Sequence, residues 1–115
     1  MTGILVDTNV FIDVLRGARK LRLQDDRVAF SVVSRAELFA GRNDAGRLRA
    51  FLERFEEIYV GPEIAERAGR LLRETGIDLA DGLIAATALE HRLTLVTRNP
   101  RDFQPVRGLK LRSPD

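Results

Sequence analysis

Oxygen-bearing side chains recur in this chain just past apolar runs and at the heads of helical segments. Asp7 directly follows Ile4-Leu5-Val6 in "GILVDTNVFIDVL". Glu37 lies in "SVVSRAELFAG", Asp81 in "LADGLIAATAL", and "TRNPRDF" offers Asn99 with Asp102 close behind. Hard oxygen donors gathered at one place suit Mg²⁺ or Mn²⁺. The chain has no cysteine and a single histidine, His91, so a thiolate or zinc centre lacks ligands and a pair of catalytic histidines is excluded. His91 itself reads as a surface residue at a helix end.

Each of these positions also has a purely structural reading. Ser34-Arg35-Ala36-Glu37 is an S-x-x-E capping box, and taken alone this is the stronger reading of Glu37. Asp81 in a first helical turn complements the helix dipole. Asn99 before Pro100 fits an N-cap, Asp7 can cap a helix starting at Thr8, and Asp78 has no claim beyond such a cap. Two features weigh against independent caps. The segment "GLIAATAL" is apolar nearly all round, which implies burial on more than one face. An acid at its head is costly unless a cation or donor offsets it. Acids converging on one edge also raise each other's pKa, a penalty that a divalent ion removes.

The elements that must position these groups alternate along the chain. Ile4–Val6, Val28–Val33, Glu57–Val60, Thr94–Thr97 and Leu109–Leu111 read as strands. Helices are expected from Thr8 to Arg16 with Gly17 as the stop, from Ser34 to Gly41, from Asn43-Asp44 to Phe55, from Pro62 to Thr75, and from about Ala80 to His91. Arg19 to Arg27 reads as loop or a short turn of helix. Strands alternating with helices predict an α/β fold, a small parallel sheet sandwiched by helices in a Rossmann-like three-layer arrangement. In such sheets ligands bind at the carboxyl ends of the strands, where Asp7, Glu37, Asp81 and Asn99 are all expected.

Bulk properties fit one domain. The chain has 115 residues, 44% apolar and 31% charged, and shows no internal repeat, low-complexity tract or linker. Its 19 basic and 17 acidic residues leave a net charge of only +2. Separation of signs, rather than total charge, would therefore draw a polyanion. The first residues do not read as a signal peptide, no segment is long and apolar enough for a membrane span, and the absence of cysteine fits a cytoplasmic protein.

Strand-Asp-Thr-Asn at the N-terminus, "SRAELFAG" and "ADGLIAATALEHRLTLVTRNPRDF" together resemble a PIN-domain ribonuclease, most closely the VapC-type toxins of toxin–antitoxin pairs. The resemblance spans essentially the whole chain, and its last block is the most specific. It implies a metal-dependent endoribonuclease using Mg²⁺ or Mn²⁺, with Asp7, Glu37 and Asp81 as the principal acids. Asn99 best matches the fourth position, with Asp102 as the neighbouring candidate, and Thr8 and Thr97 match hydroxyl positions supporting the metal shell. A divalent ion in such a site activates water for in-line attack on phosphorus, and the expected products carry a 5′-phosphate and a 3′-hydroxyl.

An acidic pocket repels RNA, so basic residues must hold the phosphates. Arg98 and Arg101 flank Asn99, Arg35 and Arg42 flank Glu37, and these four are the candidates beside a reading as solvated surface arginines. "VFIDVL" is apolar at every position but Asp13, wider than one core-facing stripe requires. Val10, Phe11, Val14 and Leu15, with Leu38 and Phe39, are therefore expected to include a groove for a VapB-like antitoxin, as the resemblance implies, or a homodimer face. The alternatives are a catalytically silent PIN-like domain that binds RNA or protein, and a receiver-type phosphotransfer domain. The latter lacks support, since Thr-Asn follows the first acid and the second strand leads into Ser34.

Overall fold

The structure is a computed structural model that describes residues 3–21 and 27–115. Five strands, β1 (Gly3–Val6), β2 (Arg27–Ser31), β3 (Glu56–Ile58), β4 (Thr94–Val96) and β5 (Leu111–Arg112), form one sheet in the order β3-β2-β1-β4-β5. Every neighbouring pair is parallel, with Leu5 opposite Ala29 on one side and Leu95 on the other. The helices are α1 (Thr8–Leu15), α2 (Val32–Phe39), α3 (Ala45–Leu52), α4 (Pro62–Thr75) and α5 (Leu79–His91), with a short 3₁₀ turn over Pro100–Asp102. This is the expected three-layer α/β arrangement. Residues 22–26 of the expected loop from Arg19 to Arg27 lie outside the described residues.

Strand pleating divides the core into two layers. Side chains alternate across a strand, so Ile4 and Val6 enter one cluster with Val10, Phe11, Phe30, Phe51 and Val96, beneath α1 to α3. Leu5, Ala29 and Leu95 enter the other, with Ile64, Ala68 and the alanines of α5. In the first layer Phe11 is the hub: its ring lies 5.1 Å from those of Phe51 and Phe55 and 5.8 Å from Phe30.

The all-round apolar α5 is buried as its pattern requires, with Gly82 and residues Ile84 to Ala88 inaccessible. It lies between sheet and α4, and Gly82 makes the crossing close. A β-carbon there would stand 2.5 Å from Leu72 Cδ1 and 3.5 Å from Ile77 Cγ2.

Several boundaries differ from those the sequence predicts. β2 ends at Ser31 rather than Val33, because Ser31 is the N-cap of α2 and its hydroxyl accepts from Val33 N–H at 3.0 Å. The expected capping box at Ser34 and Glu37 is therefore not formed. The sequence predicts a strand running on to Val33 because the β-branched Val32 and Val33 favour strand locally, a preference that the Ser31 cap and tertiary packing override. α3 stops at Leu52 instead of Phe55, β3 covers Glu56–Ile58, and β5 begins only at Leu111.

Candidate active site

The strand order reverses between β1 and β4: the chain builds outward from β1 through β2 to β3, then returns to the other side of β1. The crevice beyond the carboxyl ends of β1 and β4 is the switch point of the sheet, where ligands bind in such folds. Asp7 stands at the end of β1 and Thr97 at the end of β4, and Asp7 N–H donates to Val96 carbonyl at 2.9 Å, closing the two strands together.

Asp7 is almost wholly buried, and each carboxylate oxygen has a donor. Oδ1 accepts from Thr8 N–H at 2.9 Å, and Oδ2 accepts from the Thr97 hydroxyl at 2.8 Å. It is thus the N-cap of α1 as well as a member of the site. Burial pushes its pKa up, the Thr97 and Thr8 hydrogen bonds pull it back, and the charges of Glu37 and Asp102 push it up again. Thr97 in turn accepts from Asn99 N–H at 3.0 Å, which fixes the start of the loop after β4.

Glu37 reaches the same crevice from α2. The Thr8 hydroxyl lies 2.6 Å from Glu37 Oε1 and 2.7 Å from the Ser34 hydroxyl. Thr8 has one proton, and the carboxylate takes it in preference, being the charged acceptor; Ser34 then supplies its own proton to Thr8. Ser34 is fully buried, one turn before Glu37 on the same face of α2. Sequence reasoning assigned it to a cap and missed this supporting role, although the i, i+3 spacing was the available signal.

Asp81 is half-buried in the first turn of α5 and makes no side-chain hydrogen bond among the described residues. Its pKa is pushed up to about 6, first by burial, then by the charges of Asp7, Asp102, Glu37 and Asp78. The leading charges that act on Asp7 and Asp81 are all carboxylates. Asp7, Glu37 and Asp81 therefore share one field of like charge.

The fourth position offers both Asn99 and Asp102. Asp102, on the 3₁₀ turn, acts on both Asp7 and Asp81 and lines a cleft of about 260 Å³ together with Asp78 and Asp81. Asn99 caps the turn by position, yet its side chain makes no capping hydrogen bond. Asp7, Glu37, Asp81 and Asp102, together with the Asn99 amide oxygen, are the oxygen donors at this edge. No three His, Cys, Asp or Glu side chains among the described residues stand grouped as a complete ligand set.

The arginines expected around the site divide into two kinds. Arg35 makes two bonds of 2.8 Å to the Glu57 carboxylate, and Arg98 donates to Asp13 Oδ1 at 2.7 Å. Both are committed within the fold. Arg42 and Arg101 are exposed and have no ion-pair partner among the described residues. Asp13 is the acid the sequence left unexplained in "VFIDVL". It is buried and also faces Arg19, whose Nε lies 3.7 Å away.

The expected apolar groove is narrower than its residues suggested. Val10 and Phe11 are completely inaccessible, Leu38 and Leu15 nearly so, and all four fill the core. Val14 and Phe39 are half-buried at its edge. Val14 and Leu15 border a cavity of about 360 Å³ with Phe51, Arg47 and Arg54.

The sequence matches the PIN domain family model over residues 4–109. Ribonuclease VapC10 of Mycobacterium tuberculosis is 38% identical over 120 aligned positions, covering 93% of this chain and 90% of that protein. Ribonuclease VapC19 of the same organism is 35% identical over 113 positions, covering 86% and 90%. A solved toxin–antitoxin complex from Klebsiella pneumoniae has the same fold, with a TM-score of 0.83 at 34% identity over 97% of this chain and 98% of that one. Placed beside the switch-point acids, these likenesses show that the chain belongs to the PIN-domain family.

Proposed function

We propose that this chain is a divalent-metal-dependent endoribonuclease and the toxin of a VapBC-type toxin–antitoxin pair. The observation that carries the reading is the convergence of Asp7, Glu37, Asp81 and Asp102 on one sheet edge, where like charges act on one another. Such an arrangement is unfavourable for the chain alone and suits a hard cation. The incomplete ligand grouping is compatible with Mg²⁺, which keeps several waters and uses only one or two carboxylates. The similarity to VapC ribonucleases and to a toxin–antitoxin complex supports the activity and the class of partner.

The chain's own groups have separable tasks. Thr8 N–H and the Thr97 hydroxyl hold both oxygens of Asp7 in place, and the Thr8 hydroxyl holds one oxygen of Glu37. Asp81 keeps both oxygens free toward the cleft it shares with Asp102. A bound divalent ion would supply an activated water and neutralise charge on the phosphate. Arg101 and Arg42, which have no ion-pair partner among the described residues, are suited to hold RNA phosphates. The cavity bordered by Val14, Leu15 and Phe51, rimmed by Arg47 and Arg54, suits an antitoxin segment of apolar and acidic residues.

The test is incubation of the purified chain with structured RNA in Mg²⁺ or Mn²⁺, with and without chelator, beside Asp7→Ala and Asp81→Ala. Cleavage is expected to need the metal and to vanish in both variants. RNA that is bound but never cut would instead identify a silent PIN-like domain.

A further inference from the structure

A cleft of about 420 Å³ opens between the C-terminal half of α4, the end of α5 and the loop after the 3₁₀ turn. Arg67, Arg70 and Arg107 line it, and Glu74 is the one acid on its wall. Arg67 is paired with Glu90, whereas Arg70 and Arg107 are exposed with no ion-pair partner among the described residues. Arg107 is presented from a firmly seated loop. Phe103 and Val106 anchor it at 1% and 4% exposure, and Gly108 turns the chain at a φ of 78°.

This cleft shares Thr75 and Pro105 with the acidic cleft that contains Asp81 and Asp102. The two therefore adjoin across Thr75 and Pro105, one acidic and one basic. A polyanion entering the acidic end is repelled unless cations hold it nearby. Two of the arginines beside the acids, Arg35 and Arg98, are already paired with Glu57 and Asp13. Guanidinium groups bind phosphate through paired N–H donors, and two in the cleft adjoining the acids suit phosphates of a strand that runs past them.

The geometry points to Arg70 and Arg107 as a phosphate subsite for the RNA backbone as it leaves the acids along α4. The inference rests on the nuclease reading above and extends it to the substrate's path.

The test compares wild-type chain, the Arg70→Ala, Arg107→Ala double variant and Arg73→Ala, which removes an exposed arginine of α4 outside the cleft. Binding of a labelled oligo(U) RNA is measured in chelator across a salt series, and cleavage of structured RNA in Mn²⁺. For the double variant, Kd is expected to rise several-fold at low salt and the slope of log Kd against log salt to fall by about 1.4, roughly 0.7 for each phosphate no longer neutralised. KM should rise while kcat stays within about twofold, as expected when uniform binding is weakened. Arg73→Ala should change none of these.

An unchanged double variant, or an equal effect from Arg73→Ala, overturns the subsite, because net charge alone would then be at work. Poly-glutamate bound as tightly as RNA and lost in the same double variant would overturn it in favour of an acidic protein segment. RNA held with the expected salt dependence but never cut would uphold the subsite and overturn the nuclease reading. A wild-type chain that neither binds nor cuts RNA overturns both.

Discussion

Burial and neighbouring acids hold the Asp7 and Asp81 carboxyls above the ordinary carboxylate range, Asp81 at about 6. A carboxyl whose pKa is higher folded than unfolded binds its proton more tightly when folded. Its stabilising contribution is therefore full below the unfolded pKa and is lost as pH rises through the folded one. In chelator the wild-type chain should lose stability as pH climbs from ~4, near the unfolded aspartate value, to about 6. Asp81→Asn should melt higher than wild type near neutral pH, converge with it in acid, and have no nuclease activity. Thermal melting across pH checks the first two and RNA cleavage the third; a lower melting temperature for the variant at neutral pH would contradict the repulsion. Mg²⁺ or Mn²⁺ should raise the wild-type melting temperature more at neutral than at acid pH, since protons compete for the same oxygens. Thr97→Val removes the hydroxyl that donates to Asp7 and accepts from Asn99. It should cost ~1–3 kcal/mol for buried groups left unpaired and lower metal affinity by ~10–100-fold. Urea unfolding and Mn²⁺ titration measure the two effects, and Thr97→Ser should restore both.

At the scale of elements, the site depends on where two helices begin and how closely they pack. Starting α2 from Ser31 moves Glu37 a turn deeper into the helix than a capping box would place it. Its carboxylate is then free of cap duty and meets Thr8. The alternation of short apolar runs with helical segments was legible because burial imposes a local period on each element. The exact start of α2 was not, because two valines carry strand propensity that tertiary packing overrides. Gly82 sets the approach of α5 to α4 and lies next to Asp81. Gly82→Val puts a branched side chain where even a β-carbon meets Leu72 Cδ1 at 2.5 Å, and overpacking of this kind costs ~1–3 kcal/mol. Chemical denaturation should show that loss, and combining it with Leu72→Ala should give less destabilisation than the sum of the two single variants.

Over the whole molecule, charges of the two signs are sorted despite a net charge of only +2. Acids gather at the switch point, two flanking arginines are tied down within the fold, and Arg42, Arg70, Arg101 and Arg107 have no ion-pair partner among the described residues. On the opposite layer, Arg54 lies over the rings of Phe51 and Phe55, at 5.7 and 5.5 Å, beside the cavity that Val14 borders. A charge at Val14 opposes both the apolar wall and any acidic partner. Val14→Asp is expected to weaken capture of the cognate antitoxin by ~1–2 kcal/mol or more, the scale of an interface hot spot, while RNA cleavage by the free chain is unchanged. Titration calorimetry with the antitoxin, beside a cleavage assay, separates the two effects; undiminished binding would place the partner elsewhere.

Composition and order alone determined the class of fold and the hard-oxygen character of the site. Apolar periodicity is a property of neighbours along the chain, and the absence of cysteine with a single histidine leaves carboxylates as the available ligands. The convergence of Asp7, Glu37 and Asp81 was likewise legible, because each follows or heads an element whose end must lie on one sheet edge. Only the tertiary structure decided which of Val10 to Leu15 face inward and which of the expected arginines are paired within the fold. Arg35 is neutralised by a glutamate 22 residues away and Arg98 by an aspartate 85 residues away. Ion pairing acts through space, and nothing in the local pattern around an arginine announces the carboxylate that folding will bring to it.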